Sequence, residues 1–281
     1  MDSRILSLAL AGLLAVFLLA SSPPAGAAKK NGFELDGALV PEREIRKGGP
    51  PRDGIPALFN PTVIAAEDAS YLRGDDRVLG ININGRARAY PVRILNYHEI
   101  VNDVVGGEMV IVTYCPLCGT GIAFDPMVDG RTLAFGVSGL LYNSDVLMYD
   151  LQTESLWSQI MKTAVTGEMK GNKLTPLPTR HTTWRDWRTR HPDTDVLSNR
   201  TGYSRNYRVD PYDGYERKRS LVFPVSESSR AYHPKMHVLG VELDGRYKAY
   251  AFEERRKGPA IFSDTIGTRE VTVTFDDANG T

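Results

Sequence analysis

Cysteine is scarce in this chain: Cys115 and Cys118 are the only two in 281 residues. So few thiols exclude both a secreted disulfide framework and a four-thiolate metal site. Net charge is missing too. Thirty-four basic residues balance 34 acidic ones, so composition gives no case for nucleic acid or an anionic membrane as partner. No Ser/His/Asp hydrolase signature, phosphate loop or dinucleotide fingerprint occurs, and Gly119-Thr120-Gly121 follows a strand pattern without opening a helix. Haem attachment is excluded as well, because it needs a His where Gly119 stands.

Long apolar runs are nearly absent. The single one, residues 5–20, is sixteen residues long and falls short of the roughly 20 that a membrane span requires. Arg4 precedes it, and Ser21-Ser22-Pro23-Pro24 and Ala25-Gly26-Ala27 follow, which is the pattern of a secretory signal over residues 1–27, cut after Ala27. The expected mature protein is periplasmic or secreted and carries no stable membrane span. No cysteine lies beside the cleavage site, which excludes a bacterial lipoprotein. The remaining residues suffice for one large or two small domains with a real core.

What is present centres on residues 110–124. Val110, Ile111, Val112, Thr113 and Tyr114 read as a buried strand, Gly119 and Gly121 mark a turn, and Ile122-Ala123-Phe124 resumes an apolar run. The Cys-x-x-Cys pair is therefore expected on a turn between strands. A thioredoxin-type pair instead begins a helix, whose N-terminus lowers the first thiol's pKa. Cys115-Pro116-Leu117-Cys118-Gly119 resembles the metal knuckle of rubredoxins and zinc ribbons, which supplies two of the four ligands of a tetrahedral thiolate site.

Residues 28–61 are rich in Gly, Pro and charge and read as an extended arm lying across the rest. Further on, the alternation of Leu79, Ile81 and Ile83 before Asn84-Gly85 predicts a hairpin. Residues 78–90 then recur at residues 238–250, with seven of thirteen aligned pairs identical. After a one-residue insertion the match resumes, and it defines an internal repeat over residues 76–115 and 236–276. Cys115 aligns with Asp276, and Tyr97-His98-Glu99 with Gly258-Pro259-Ala260. The scaffold recurs and the polar group does not, which nominates His98, Glu99, Cys115 and Cys118 as site residues.

Residues 91–105 read as a helix with Pro91 at its first position and Gly106-Gly107 ending it. Helical spacing puts Ile94, Leu95, His98 and Val101 on one inward stripe, where His98 is either a core histidine bonded to a carbonyl or a third metal ligand. Asn143, Asp145 and Asp150 either line a polar pocket or, as the commoner role, form turns. Thr183 caps a short helix that Pro192 ends, and Trp184 and Trp187 dock it onto a sheet. His181 and His191 flank that helix. His233, Met236 and His237 invite a copper reading, against which Pro234 and a polar loop weigh.

Residues 89–103, 113–121, 156–159 and 184–197 together resemble the DUF3179 family of exported bacterial and archaeal proteins. The resemblance implies export and a single large domain and assigns no reaction. The expected fold is mainly β (α+β), with two related β-rich modules, a few short helices, the extended N-terminal arm, and one DUF3179-like domain over residues 62–281. The expected function is a Cys115/Cys118/His98 site for copper or zinc, taking a metal or small-molecule ligand. Its alternatives are a thiol–disulfide oxidoreductase with His98 or Glu99 accepting a proton near Cys115, and a binding module with a structural Cys115–Cys118 disulfide.

Overall fold

The computed structural model describes residues 29–281, so the expected signal at residues 1–27 lies outside the described residues. The chain is mainly β, and its architecture follows from one sheet that is buried on both faces. This central sheet orders Thr175–Leu177, Thr120–Asp125, Glu108–Cys115, Ile100–Val105 and Leu58–Phe59. Its neighbours are antiparallel except for Leu58–Phe59, which runs parallel to Ile100–Val105. Burial of both faces explains why residues 110–114 show no polar alternation.

On one face, Ile100, Ile111, Cys115 and Phe124 pack against Phe135, Val137, Val146, Met148 and Trp157. These belong to a first outer sheet of Thr163–Ala164, Leu156–Ser158, Asp145–Asp150, Phe135–Tyr142 and Ile45–Lys47. On the other face, Val101, Val110, Val112 and Ala123 meet Leu79, Ile81, Tyr90 and Leu197. Those come from a second outer sheet of Arg180–Thr183, Arg77–Ile83, Arg86–Pro91, Asp195–Leu197 and Val63–Ala65. Strand alternation thus sends the odd residues Ile111 and Cys115 to one interface and the even residues Val110 and Val112 to the other.

The segment before residue 62 contributes edges and core. Ile45–Lys47 and Leu58–Phe59 join two different sheets, and Phe33, Leu35, Val40 and Ile45 are buried against Leu140, Leu147 and Tyr149.

Of the two expected helices, one differs from the sequence expectation. The helix expected over residues 91–105 stops early: α1 spans Val92–His98, Pro91 caps it from outside, and residues 100–105 form a strand. Ile100, Val101, Val104 and Val105 are β-branched, which favours a strand, and Glu99 at φ 57° breaks the helix before them. The second helix, α2 (Trp184–Arg190), forms as expected. Thr183 caps it by accepting from the Asp186 N–H at 3.2 Å, while Trp184 and Trp187 are buried on the second outer sheet.

Farther along, Val238–Leu243 pairs with Arg246–Ala251, then α3 (Phe252–Arg255) and the hairpin of Ile261–Ile266 with Arg269–Thr274 follow. Its registers match those of residues 77–115. Leu79 faces Tyr90 as Leu239 faces Tyr250, and Ile100 faces Thr113 as Ile261 faces Thr274. Asn84-Gly85 and Asp244-Gly245 both turn with positive φ at both residues.

Candidate metal centre

Cys115 ends the strand Glu108–Cys115 and pairs with Thr120, the first residue of the returning strand. Residues 116–119 form the turn between them, held by the Cys118 N–H donating to the Cys115 carbonyl at 3.2 Å. No helix starts here, as the glycines predicted. Both cysteines are free thiols, with Sγ atoms 3.0 Å apart; Cys115 is buried and Cys118 half-buried.

The first outer sheet brings the third group. Asn143 and Ser144, both at positive φ, make the tight turn between Phe135–Tyr142 and Asp145–Asp150. That turn aims the Ser144 carbonyl at the thiols, 3.1 Å from Cys118 Sγ and 3.6 Å from Cys115 Sγ. It also places the Asp145 carboxylate so that one oxygen and both sulfurs lie within 4.8 Å of one another. Asp145 Oδ2 accepts from Ser158 Oγ at 2.8 Å and the Ile160 N–H at 3.1 Å, whereas its buried Oδ1 has no hydrogen-bond partner. Gln159, which donates to Thr113 Oγ1 and the Thr120 carbonyl, also leaves its buried Oε1 unpaired. Orphaned buried acceptors of this kind are rare and call for a cation or a proton.

Electrostatics agree with the geometry. Burial pushes the Cys115 thiol well above its ordinary pKa, and Cys118 and Asp145 push in the same direction. Burial likewise raises Asp145 to about 7, against the opposing pull of the groups that donate to it. Two thiolates and a carboxylate packed together are unstable without a positive charge among them.

His98 is not part of this group. It is fully buried on α1, as its helical stripe predicted, but both ring nitrogens are engaged elsewhere. Nδ1 donates to the Pro56 carbonyl at 2.8 Å, which leaves Nε2 to accept from the Tyr207 hydroxyl at 2.6 Å. The structure puts the Asp145 carboxylate, rather than His98, the expected third ligand, beside the thiols, and His98 ties α1 to the loop carrying Tyr207. His98→Ala should leave the metal content per chain unchanged while costing about 2 kcal/mol of stability, from the stranded hydroxyl and carbonyl; metal analysis and thermal unfolding of the variant check both.

Glu99 is buried beside the site without joining it. Its backbone carbonyl accepts from the Tyr114 N–H at 2.7 Å, and its carboxyl group lies within electrostatic reach of Cys115 and Tyr212. Burial alone raises it to about 8, so it is largely protonated at neutral pH. A non-glycine residue at φ 57° is uncommon and is found disproportionately at functional sites.

The remaining candidates separate. Asn143 is a turn former whose Oδ1 accepts from the Ser226 N–H, and Asp150 holds Thr153 and the Trp157 indole. His181 Nε2 sits at the Gly121 backbone, and His191 packs against Trp187 with the rings tilted by 43°. His233 accepts from the Lys235 N–H, and His237 reaches the Gly119 side of the turn without joining the group.

Asp145 gives a weak signal in the sequence because a strand residue just after a turn pattern looks like part of the turn. The available signal was Leu156-Trp157-Ser158-Gln159, whose polar pair surrounds that carboxylate.

The fold and the site together define a mainly β protein with a largely buried dithiol–carboxylate cluster between two of the three five-stranded sheets that the described residues form. Residues 52–281 match the family described as "protein of unknown function (DUF3179)", and the chain belongs to that family. No curated protein and no solved structure matches it. Among the described residues, no helix is long and apolar enough to cross a membrane.

Proposed function

We propose that this is an exported metal-binding protein that holds one zinc ion through Cys115 Sγ, Cys118 Sγ and Asp145 Oδ1. The supporting observations are an Asp145 carboxylate oxygen within 4.8 Å of both sulfurs and a buried Asp145 Oδ1 that has no hydrogen-bond partner. Two thiolates and one carboxylate suit Zn(II), which accepts sulfur and oxygen together. Cu(I) prefers the sulfurs and has little use for the carboxylate. Three protein donors leave a fourth position open, the arrangement of zinc sites that bind or activate a small ligand. Glu99, protonated at neutral pH and within electrostatic reach of Cys115, would serve as a proton donor there.

Duplication of a ββαββ module, with the site kept in one copy only, accounts for the matching registers of residues 77–115 and 238–274. The oxidoreductase alternative fits less well, since it needs a first thiol with a lowered pKa and burial raises that of Cys115. A structural disulfide would close too small a loop to stabilise much.

Elemental analysis of the purified mature chain, with uptake of Zn(II) and Cu(I) into the stripped protein, tests the proposal. One zinc per chain is expected, lost in Cys115→Ser/Cys118→Ser and weakened at least about tenfold in Asp145→Asn, equal to about 1.4 kcal/mol. Copper uptake indifferent to Asp145→Asn would reassign the ion. No uptake of either metal would refute the site.

A further inference from the structure

The two hairpins that share a register differ in what covers them. Along Arg77–Ile83, alternation turns Val78 and Gly80 to the outer face, where α2 packs. Gly80 is glycine for a visible reason: a Cβ there would stand 2.3 Å from the Trp187 indole, which lies directly on the strand. The outer edge of the same strand pairs with Arg180–Thr183, Arg180 facing Gly80 and Thr182 facing Val78. One short segment, residues 180–190, thus closes both edge and face, first as a strand and then as a helix carrying two indoles.

Val238–Leu243 repeats the sequence and lacks the cover. Gly240 aligns with Gly80, and nothing lies within 4 Å of where its Cβ would be. It has no positive φ to demand glycine, and glycine inside a strand weakens the strand. Val238 is 48 % exposed where Val78 is 1 %, and Leu239 is 43 % exposed where Leu79 is buried completely. Val238, Ala249 and Ala251 line an open groove of about 270 Å³ with Tyr232, Glu254 and Arg255, whereas Val78 and Ala89 lie buried with the two indoles. Among the described residues, Val238–Leu243 pairs only with Arg246–Ala251, so its outer edge is free.

We infer that the face and edge of Val238–Leu243 are a docking site for an extended segment of another polypeptide that adds a β-strand and then seats an aromatic ring on Gly240. The covered hairpin specifies that occupant. Backbone pairing along the edge supplies affinity, and the ring on the glycine fixes the register, as in other strand-addition complexes. The exposed apolar residues, an aggregation hazard on a bare edge, become the buried surface of the complex. None of these surface residues belongs to the dithiol cluster, and the inference does not depend on the metal.

A synthetic peptide of residues 178–191, this chain's own covering segment, is the probe, titrated into the full mature chain by calorimetry. Saturable 1:1 binding is expected, weakened at least about tenfold when the peptide carries Trp187→Ala and when the protein carries Gly240→Val. Gly240→Val should leave the unfolding midpoint unchanged or slightly raised, since the space is open and a β-branched residue suits a strand. Val238→Lys, on the same face, should lose binding independently. No saturable binding, or binding indifferent to both protein variants, would overturn the inference. A dimer dissolved by Gly240→Val in sedimentation would also overturn it, by giving the surface to a second copy of this chain.

Discussion

Stripping the proposed zinc with a chelator at pH 7.5 should lower the unfolding midpoint by roughly 10 °C, and the same chelator should do nothing to Cys115→Ser/Cys118→Ser. The size follows from linkage: an ion present at about a thousand times its dissociation constant stabilises the native state by about 4 kcal/mol. In a domain of this length each kcal/mol moves the midpoint by about 2–4 °C. The direction follows from the site, where buried donors within 4.8 Å of one another must take up protons or repel once the cation leaves. A midpoint that ignores the chelator, in protein shown to contain zinc at the start, would place the ion elsewhere.

Replacing Glu99 with Gln should stabilise the protein at pH 9 and change little at pH 5. Burial raises the Glu99 carboxyl from 4.5 to about 8, so the native state holds a proton that the unfolded state releases at much lower pH. Its contribution is fully present below about pH 4.5 and is lost as the pH rises through about 8. Gln is neutral throughout and avoids that loss. At about 1.4 kcal/mol per pH unit the full swing is about 5 kcal/mol, an upper bound once water reaches the ionised group. Unfolding curves of Glu99→Gln and the native chain should therefore diverge as the pH rises from 5 to about 8 and keep a constant separation above it. Parallel curves would mean that the Glu99 carboxyl is paired in solution.

Much of the scaffold was legible from local pattern. Asn84-Gly85 marked a hairpin, Thr183 and Pro192 bounded a helix, and the glycines after Cys118 excluded a helical thiol pair. Each is a matter of backbone conformation decided within a few residues. Residues 100–105 were misread because the helical stripe of Ile94, Leu95 and His98 continues in phase to Val101, and only the left-handed turn at Glu99 separates the two elements. The inward direction of His98 was correct, yet its role depended on Pro56 and Tyr207, neither of them near it in sequence.

The sequence by itself determined the pair of thiols, the turn that presents them, the mainly β character and the repeated register, because all of these are local or are read by comparing the chain with itself. Only the tertiary structure decided which third group lies beside the thiols. Asp145 reaches the thiols because the first outer sheet packs its Asn143-Ser144 turn onto the end of the central sheet. No local rule encodes which of several carboxylates will be buried without a partner, since that depends on which sheet faces meet.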